Sequence, residues 1–224
     1  MKKLFLLTLL CVFSINLFAQ QQFSKHYYNR IEKFNSEEMI NPNDVVFLGD
    51  SITEGGDWDE YFKGSLPDNV NIFNRGISGD ITAGVINRLD QVLRGKPKKI
   101  FLMIGINDLG KDIHYKKVVE NIDYIVKEIR FKSPMTKIYL QSVLPVNIDM
   151  VRSDVLKRKT HAINKTNRGI RKIAMKYNII YLNIYEYVKA PNSLQLDPLF
   201  TYDGLHLNEK GYGIWVKAIK KYVK

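Results

Sequence analysis

The sequence predicts an α/β protein, a three-layer α/β/α sandwich built around a five-stranded parallel sheet. Short β-branched or apolar runs alternate along the chain with longer segments that have helical spacing, which is the pattern of successive βαβ units. The short runs are almost continuously hydrophobic, as is typical of parallel strands covered by helices on both faces. No internal repeat, low-complexity tract or Pro/Gly/Ser-rich linker divides the chain after its first 19 residues, so we expect one domain.

The elements follow one another in a regular order. The predicted strands are the apolar runs at residues 45–48, 70–73, 100–104, 138–143 and 179–182. The predicted helices between and after them are residues 81–93, 115–131, 153–177 and 208–223. Before the first strand, residues 26–38 have the pattern of an additional outer helix, and residues 41–44 that of a turn into the sheet. Residues 145–153 are expected to form a loop beside the functional site.

The first 19 residues have the pattern of a secretory signal peptide. Lys2 and Lys3 precede an apolar stretch over residues 4–18, and the small residue Ala19 comes before the expected cleavage point. A membrane anchor is the alternative, but the stretch contains polar residues and is shorter than the roughly 18 to 20 apolar residues that span a bilayer. We therefore expect a secreted or periplasmic protein, with residues 20–224 as a single domain and no membrane-spanning segment after cleavage.

Composition limits the remaining classes. With 224 residues, of which 45% are hydrophobic, the chain can bury a full core. Its only cysteine, Cys11, lies in the predicted signal, so disulfides and thiol catalysis are not expected. Removal of two signal lysines lowers the net charge from +11 to +9, that is, 32 basic minus 23 acidic residues. Such a surplus can attract anionic partners but is equally a solubility feature, and no nucleic-acid partner is predicted.

Polar residues cluster at the predicted ends of the strands. Ser51 follows the first strand, Gly79 the second and Asn107 the third, while Asp203 and His206 come just before the last helix. In open α/β sheets, ligands bind in the crevice beyond the carboxyl ends of the strands. We therefore expect these five residues to meet on one rim of the sheet.

The residue types match the requirements of serine-dependent acyl transfer. Ser51 is the candidate nucleophile, His206 the general base, and Asp203 the carboxylate that orients the imidazole. The oxyanion of a tetrahedral intermediate needs preorganised donors, for which the backbone amides of Ser51 and Gly79 and the side-chain amide of Asn107 are suitable. Each of these turns alone is more often a helix cap or a tight turn, so the prediction depends on all of them together.

Other chemistries have less support. Asp203 and His206 could also be metal ligands, but no further His/Cys/Asp/Glu cluster completes a site, and no metal is predicted. The chain lacks a phosphate-binding loop, a dinucleotide fingerprint and a Gly-x-Ser-x-Gly elbow. The other three histidines, His26, His114 and His161, have no comparable acidic neighbour and are expected to be structural or solvent-facing.

Four ordered motifs resemble those of the SGNH or GDSL-type serine hydrolases, a family of esterases and lipases. They are Gly-Asp-Ser-Ile-Thr at residues 49–53, the glycine block at Gly79, Gly-Ile-Asn-Asp at residues 105–108 and Asp-Gly-Leu-His at residues 203–206. The resemblance covers nearly all of the chain after the predicted signal. Ile52 replaces the leucine of the literal Gly-Asp-Ser-Leu, a common variation. The residues of these motifs are most similar to those of the platelet-activating-factor acetylhydrolase-like and carbohydrate-esterase branches of the family.

The resemblance implies a flavodoxin-like fold, a triad of Ser51, His206 and Asp203, an oxyanion hole from Ser51, Gly79 and Asn107, and no cofactor. The expected function is a secreted ester hydrolase that removes acetyl or other short acyl groups from carbohydrates, acting on a glycan or small-molecule ester. A lysophospholipase, short-chain lipase or thioesterase of the same family is the alternative. A non-catalytic glycan-binding module is the alternative from a different class.

Overall fold

A computed structural model of the chain describes residues 23–224, and its centre is a five-stranded parallel sheet. The strands are β1 (Val45–Gly49), β2 (Ile72–Gly76), β3 (Lys99–Met103), β4 (Lys137–Gln141) and β5 (Ile180–Leu182). Their order across the sheet is β2-β1-β3-β4-β5, and every pairing is parallel. This is the flavodoxin-like order, so the predicted fold class is confirmed. The predicted signal, residues 1–19, lies outside the described residues.

The helices cover both faces of this sheet. They are α1 (Lys25–Ser36), α2 (Ser51–Glu54), α3 (Trp58–Phe62), α4 (Thr82–Leu93), α5 (Ile106–Gly110), α6 (Tyr115–Lys132), α7 (Asp154–Lys157), α8 (Thr160–Tyr177), α9 (Ile184–Val188) and α10 (Glu209–Val223), with a 3₁₀ turn at Pro198–Phe200. The crossover from β1 to β2 runs across the sheet in the opposite direction from those leading to β3, β4 and β5. Because such crossovers are right-handed, the two sets of helices lie on opposite faces.

The hydrophobic core is centred on β1 and β3, which are neighbours in the interior of the sheet. Every residue of β1 and β3 is buried, as expected for parallel strands enclosed by helices. Phe47, Phe101 and Tyr139 occupy paired positions on adjacent strands, and their rings stack with centroids 5.0 and 4.4 Å apart. Trp58 of α3 stacks on Phe47 at 3.9 Å, and Trp215 of α10 meets Trp58 edge-on. This aromatic stack joins the sheet to the helical layer that contains α3 and α10.

Two predicted strands have different ends in the structure. β2 was expected at residues 70–73 but runs over Ile72–Gly76, because the polar Asn74 and Arg75 are accommodated at the sheet edge. The Asn74 amide donates to the carbonyl oxygens of Glu54 and Gly56, and Arg75 pairs with Glu37. β4 ends at Gln141 rather than 143, since the backbone of Val143 is bonded by the side chain of Asn167 instead of a strand.

The predicted helix over residues 153–177 is interrupted. It consists of α7 and α8, separated by Arg158 and Lys159, whose backbone leaves the helical region. Lys159 forms an ion pair with Asp112 at this break. Among the helices of residues 23–224, none combines the length and the hydropathy needed to cross a membrane.

Candidate active site

Ser51 lies at the junction between β1 and α2. It is the first residue of α2, and Asp50 caps this helix by accepting a 3.0 Å hydrogen bond from the Ile52 amide. The helix lies directly against the end of β2: a Cβ on Gly76 would approach the Glu54 nitrogen to 2.1 Å. Only a glycine at position 76 therefore allows the serine turn to sit at this place.

Two aromatic side chains from outside α2 donate hydrogen bonds to its backbone. Tyr212 of α10 donates its hydroxyl proton to the carbonyl oxygen of Ile52 at 2.8 Å, and the Trp58 indole donates to that of Thr53 at 2.9 Å. Both donors are buried. The short helix is thus bonded through its own backbone, which leaves the Ser51 side chain free for other contacts.

The predicted serine, histidine and aspartate form one continuous chain of hydrogen bonds. Nε2 of His206 lies 2.9 Å from Oγ of Ser51, and Nδ1 of the same ring lies 2.7 Å from Oδ2 of Asp203. Both distances are within normal hydrogen-bonding range. All three side chains are partly exposed, so a ligand can reach the serine from solvent.

A tight turn places Asp203 and His206 together. The other carboxylate oxygen of Asp203 accepts from the backbone amides of Leu205 and His206 at 2.9 and 2.7 Å. Partial burial alone would raise the pKa of Asp203, but these amides and the imidazole outweigh it and hold the pKa below its usual range. Asp203 is therefore ionised at neutral pH. The backbone N–H of Asn147, in the predicted loop 145–153, donates to the Gly204 carbonyl oxygen, so this loop does lie beside the site.

The predicted oxyanion donors come from the loops on either side of the serine turn. β1 lies between β2 and β3 with Gly49 opposite both Gly76 and Met103, so the loops that follow flank α2. Gly79 has a φ of 77°, in the left-handed region, and no atom lies within 4 Å of where its Cβ would be. The Asn107 amide donates one proton to the carbonyl of Asp80 at 2.9 Å, which leaves its second proton for a ligand.

A buried ion pair supports this arrangement from below. Arg88 of α4 and Asp80 are almost fully buried and lie 2.9 Å apart. The same guanidinium donates to the carbonyl oxygen of Gly49 at 3.0 Å and to that of Arg75 at 2.9 Å. Burial raises the pKa of Asp80 to about 6, although the charge and the hydrogen bond of Arg88 lower it. Because this value is below neutral pH, the carboxyl group and the guanidinium are both charged at pH 7. One side chain thus connects the ends of β1 and β2 with the glycine turn.

Two further carboxyl groups are buried near the first. Burial, together with the charges of Asp80 and Asp108, raises the pKa of Asp50 to about 7, although the hydrogen bond from the Ile52 amide lowers it. Asp108 accepts from the amide and the hydroxyl of Thr82, and burial raises its pKa as well. The floor of the site therefore contains the carboxyl groups of Asp50, Asp80 and Asp108 together with the guanidinium of Arg88.

The N-terminal helix contributes contacts to the same loops. Glu54, the last residue of α2, accepts from the Ser78 hydroxyl at 2.6 Å and pairs with Arg30 and His26 of α1 at 3.2 and 3.1 Å. Burial would raise the pKa of Glu54, but the bonds from Ser78 and His26 and the charge of Arg30 lower it. Arg30 also donates to the carbonyl of Gly76. Helix α1 thereby connects the serine turn to the glycine turn.

These supporting residues were not predicted as part of the site. Arg88 could have been found, because it occupies a core-facing position of α4 beside the buried Val85 and Leu89, where a charge needs a partner. Tyr212, Trp58 and Glu54 carried no such signal in the sequence. Within residues 23–224, no group of three or more His, Cys, Asp or Glu side chains is placed to hold a metal ion.

Several known proteins are similar to this chain in sequence or in fold. The model of the GDSL-like lipase/acylhydrolase family matches residues 47–214. A structure from Streptococcus pneumonia, provisionally assigned as a platelet activating factor, is 32% identical and has a TM-score of 0.79, with 89% of this chain and 94% of that one covered. An acetylxylan esterase from Geobacillus stearothermophilus is 19% identical with a TM-score of 0.64, over 83% of this chain and 96% of that one.

A curated relative is longer than this chain. The N-acylneuraminate cytidylyltransferase of Escherichia coli O18:K1:H7 is 26% identical over 208 residues, which cover 89% of this chain and 45% of that protein. The chain spans less than half the length of the curated relatives it matches. The family match, in contrast, extends over three-quarters of the chain and includes all four motifs. The chain therefore belongs to the GDSL-like lipase/acylhydrolase family.

Proposed function

We propose that this protein is a secreted serine ester hydrolase that removes acetyl or other short acyl groups from carbohydrates. The observation that carries the proposal is the hydrogen-bonded chain from Ser51 through His206 to Asp203 at the carboxyl edge of the sheet. Its geometry matches the serine, base and orienting carboxylate of triad hydrolases. Partial exposure of the serine gives a polymeric or bulky ester access to it.

The proposed mechanism assigns one role to each group. Nε2 of His206 takes the proton of Ser51 as Oγ attacks the ester carbonyl, and Asp203 stabilises the imidazolium that forms. The amides of Ser51, Gly79 and Asn107 donate to the oxyanion of the tetrahedral intermediate. Collapse of this intermediate expels the alcohol, which takes the proton from His206. Water, activated by the same imidazole, then hydrolyses the acyl-enzyme.

Several observations favour a short acyl group on a sugar. An esterase named for acetylated xylan shares the fold, and the cytidylyltransferase relative is named for N-acylneuraminate, an acidic sugar. The net charge of +9 expected after signal cleavage suits a protein that meets anionic glycans.

The proposal includes export and a single folded unit. Residues 1–19 would be removed, and residues 20–224 would form one hydrolase domain. Mass spectrometry of the protein recovered outside the cytoplasm tests export and cleavage. A mass that corresponds to residues 20–224 supports them, whereas an intact leader on exported protein contradicts cleavage.

The function is tested with 4-nitrophenyl esters from acetyl to palmitoyl, assayed on the wild-type protein and on Ser51→Ala. We expect rapid hydrolysis of the acetyl ester, a decline with chain length and almost no turnover by the variant. A rate that rises with chain length would indicate a lipase or lysophospholipase instead. Equal background rates for both proteins, with glycan binding retained, would indicate a binding module. Circular dichroism of Ser51→Ala controls for folding.

A further inference from the structure

A cavity of about 260 Å³ adjoins the glycine turn. Phe23 and Tyr27 form one wall, residues 78–81 of the glycine turn form the other, and Lys111 also borders the cavity. The Phe23 ring stacks on the buried Tyr27 ring with centroids 4.3 Å apart, so the first wall is aromatic. The mechanism described above does not use this cavity.

The cavity and the proposed oxyanion hole share Gly79. Because open space surrounds the Cβ direction of Gly79, a ligand can approach the turn closely there. A substrate whose carbonyl oxygen accepts from the Gly79 amide can place one of its two substituents in the cavity. The lining thus lies next to the bond that is cleaved.

Lys111 brings a positive charge to this cavity. The nearest acids along the chain are engaged elsewhere: Asp112 pairs with Lys159, and Asp108 accepts from Thr82. Asp80, which also borders the cavity, pairs with Arg88. Among residues 23–224 the exposed Lys111 forms no ion pair with a carboxylate, although its charge acts on the buried Asp108. An exposed cation beside an aromatic wall can bind a ring that carries an anionic group.

We infer that this cavity is a subsite for an acidic sugar, in which Lys111 binds the carboxylate of the ester's alcohol part. The inference rests on the proposed esterase function and narrows its substrate class from carbohydrate esters to esters of carboxylated sugars. Phe23 and Tyr27, which precede the family-matched region, supply the apolar wall. Lys111 therefore determines specificity, with no part in the chemical step.

The test compares two esters that differ only in charge, O-acetylated glucuronic acid and the corresponding O-acetylated glucuronamide. The readout is the ratio of their kcat/KM values, followed by acetate release. We expect the wild-type protein to prefer the acid and Lys111→Glu to lower the ratio at least about tenfold, since charge reversal turns attraction into repulsion. Lys111→Arg should retain the preference, and added salt should weaken it.

Lys172→Glu is the matched control, because it makes the same change in net charge at an exposed position on α8. It should leave the ratio unchanged. A wild-type ratio near one, or equal losses in Lys111→Glu and Lys172→Glu, would overturn the subsite while esterase activity remains. Failure to hydrolyse any ester, with Ser51→Ala indistinguishable from wild type, would refute the proposed function and this inference with it.

Discussion

Arg88 and Asp80 form an ion pair beneath the glycine turn, and the same guanidinium donates to the carbonyl oxygen of Gly49, two residues before Ser51. The proposed nucleophile and the proposed oxyanion donors are thus connected through a residue that touches neither the serine nor the ligand space. Because Asp80 also accepts from Asn107 through its backbone carbonyl, the connection extends to the third strand. Loss of the Arg88 side chain should therefore affect both folding and catalysis.

Replacement of Arg88 by Met should destabilise the protein strongly. The change leaves a buried carboxylate and two buried carbonyl oxygens without their donor, and breaking a buried pair by removing one partner costs about 3 to 5 kcal/mol. Urea unfolding measures the loss. Arg130→Met, at an exposed position, should cost far less. Adding Asp80→Asn to Arg88→Met should recover part of the stability, and a single-variant loss below about 1 kcal/mol would contradict this account.

Replacement of Asn107 by Ala should lower kcat by about a hundredfold to a thousandfold, with a smaller effect on KM. The lost donor acts on charge that develops in the transition state, and single oxyanion donors have effects of this size. Steady-state kinetics with 4-nitrophenyl acetate measures it. The exposed Asn183→Ala serves as the control and should retain wild-type rates. A loss confined to KM would exclude Asn107 from the oxyanion hole.

Replacement of Asp203 by Asn should reduce kcat by about 10⁴-fold. The Asn oxygen can still accept from the amides of Leu205 and His206, so the turn is kept. Its NH₂ group, however, would donate to Nδ1 and force the ring proton onto Nε2, which could then no longer accept the serine proton. The same assay measures this loss. Asp197→Asn, which retains its cap on the Leu199 amide, is the control. A loss below tenfold would argue against the orienting role of Asp203.

Stability should depend on the ionisation of Asp50. Its pKa is raised to about 7 in the folded protein, whereas an Asp in the unfolded chain titrates near its ordinary value of 3.8. The folded state therefore holds an extra proton between these values, and stability falls as pH rises through that window. Asp50→Asn lacks this titration while keeping an oxygen for the Ile52 amide, so relative to wild type it should gain about 1 kcal/mol or more between pH 4 and pH 8.

Denaturant unfolding of both proteins at several pH values measures the difference. Asp68→Asn, at an exposed position, is the control and should show no such trend. A difference between Asp50→Asn and wild type that does not change with pH would mean that Asp50 is ionised in both states across this range.

The parallel sheet was predictable because buried parallel strands are recognisable in the sequence as short apolar runs, whereas the flavodoxin-like arrangement was implied only by the family resemblance. β1 and β3 are apolar at nearly every position, and their predicted ends differ from the structure by one residue. β2 was misplaced because an edge strand can contain Asn74 and Arg75, whose partners come from distant segments. The short helices α2, α3, α5 and α9 were missed, since four or five residues are too few to show a helical period.

In the candidate site, too, some residues were predictable from the sequence and others were not. Residues that must face a ligand sit in turns at strand ends, where glycine, serine and asparagine stand out against the apolar strands. The contacts that support them do not stand out. Tyr212 reaches the Ile52 carbonyl from 160 positions away, and nothing in its local sequence distinguishes it from a core tyrosine. Such partners depend on how helices cross the sheet, and this is not recorded in any one segment.

Helix α1 begins more than twenty residues before the region shared with the family, yet its side chains bond to Glu54, Gly76 and Gly84. A fragment trimmed to the family-matched boundary would lose Arg30, which pairs with Glu54, and would uncover Ile77, which is completely buried against Tyr27 and Phe34. Anyone who transplants this catalytic unit into another protein must therefore carry residues 23–46 with it.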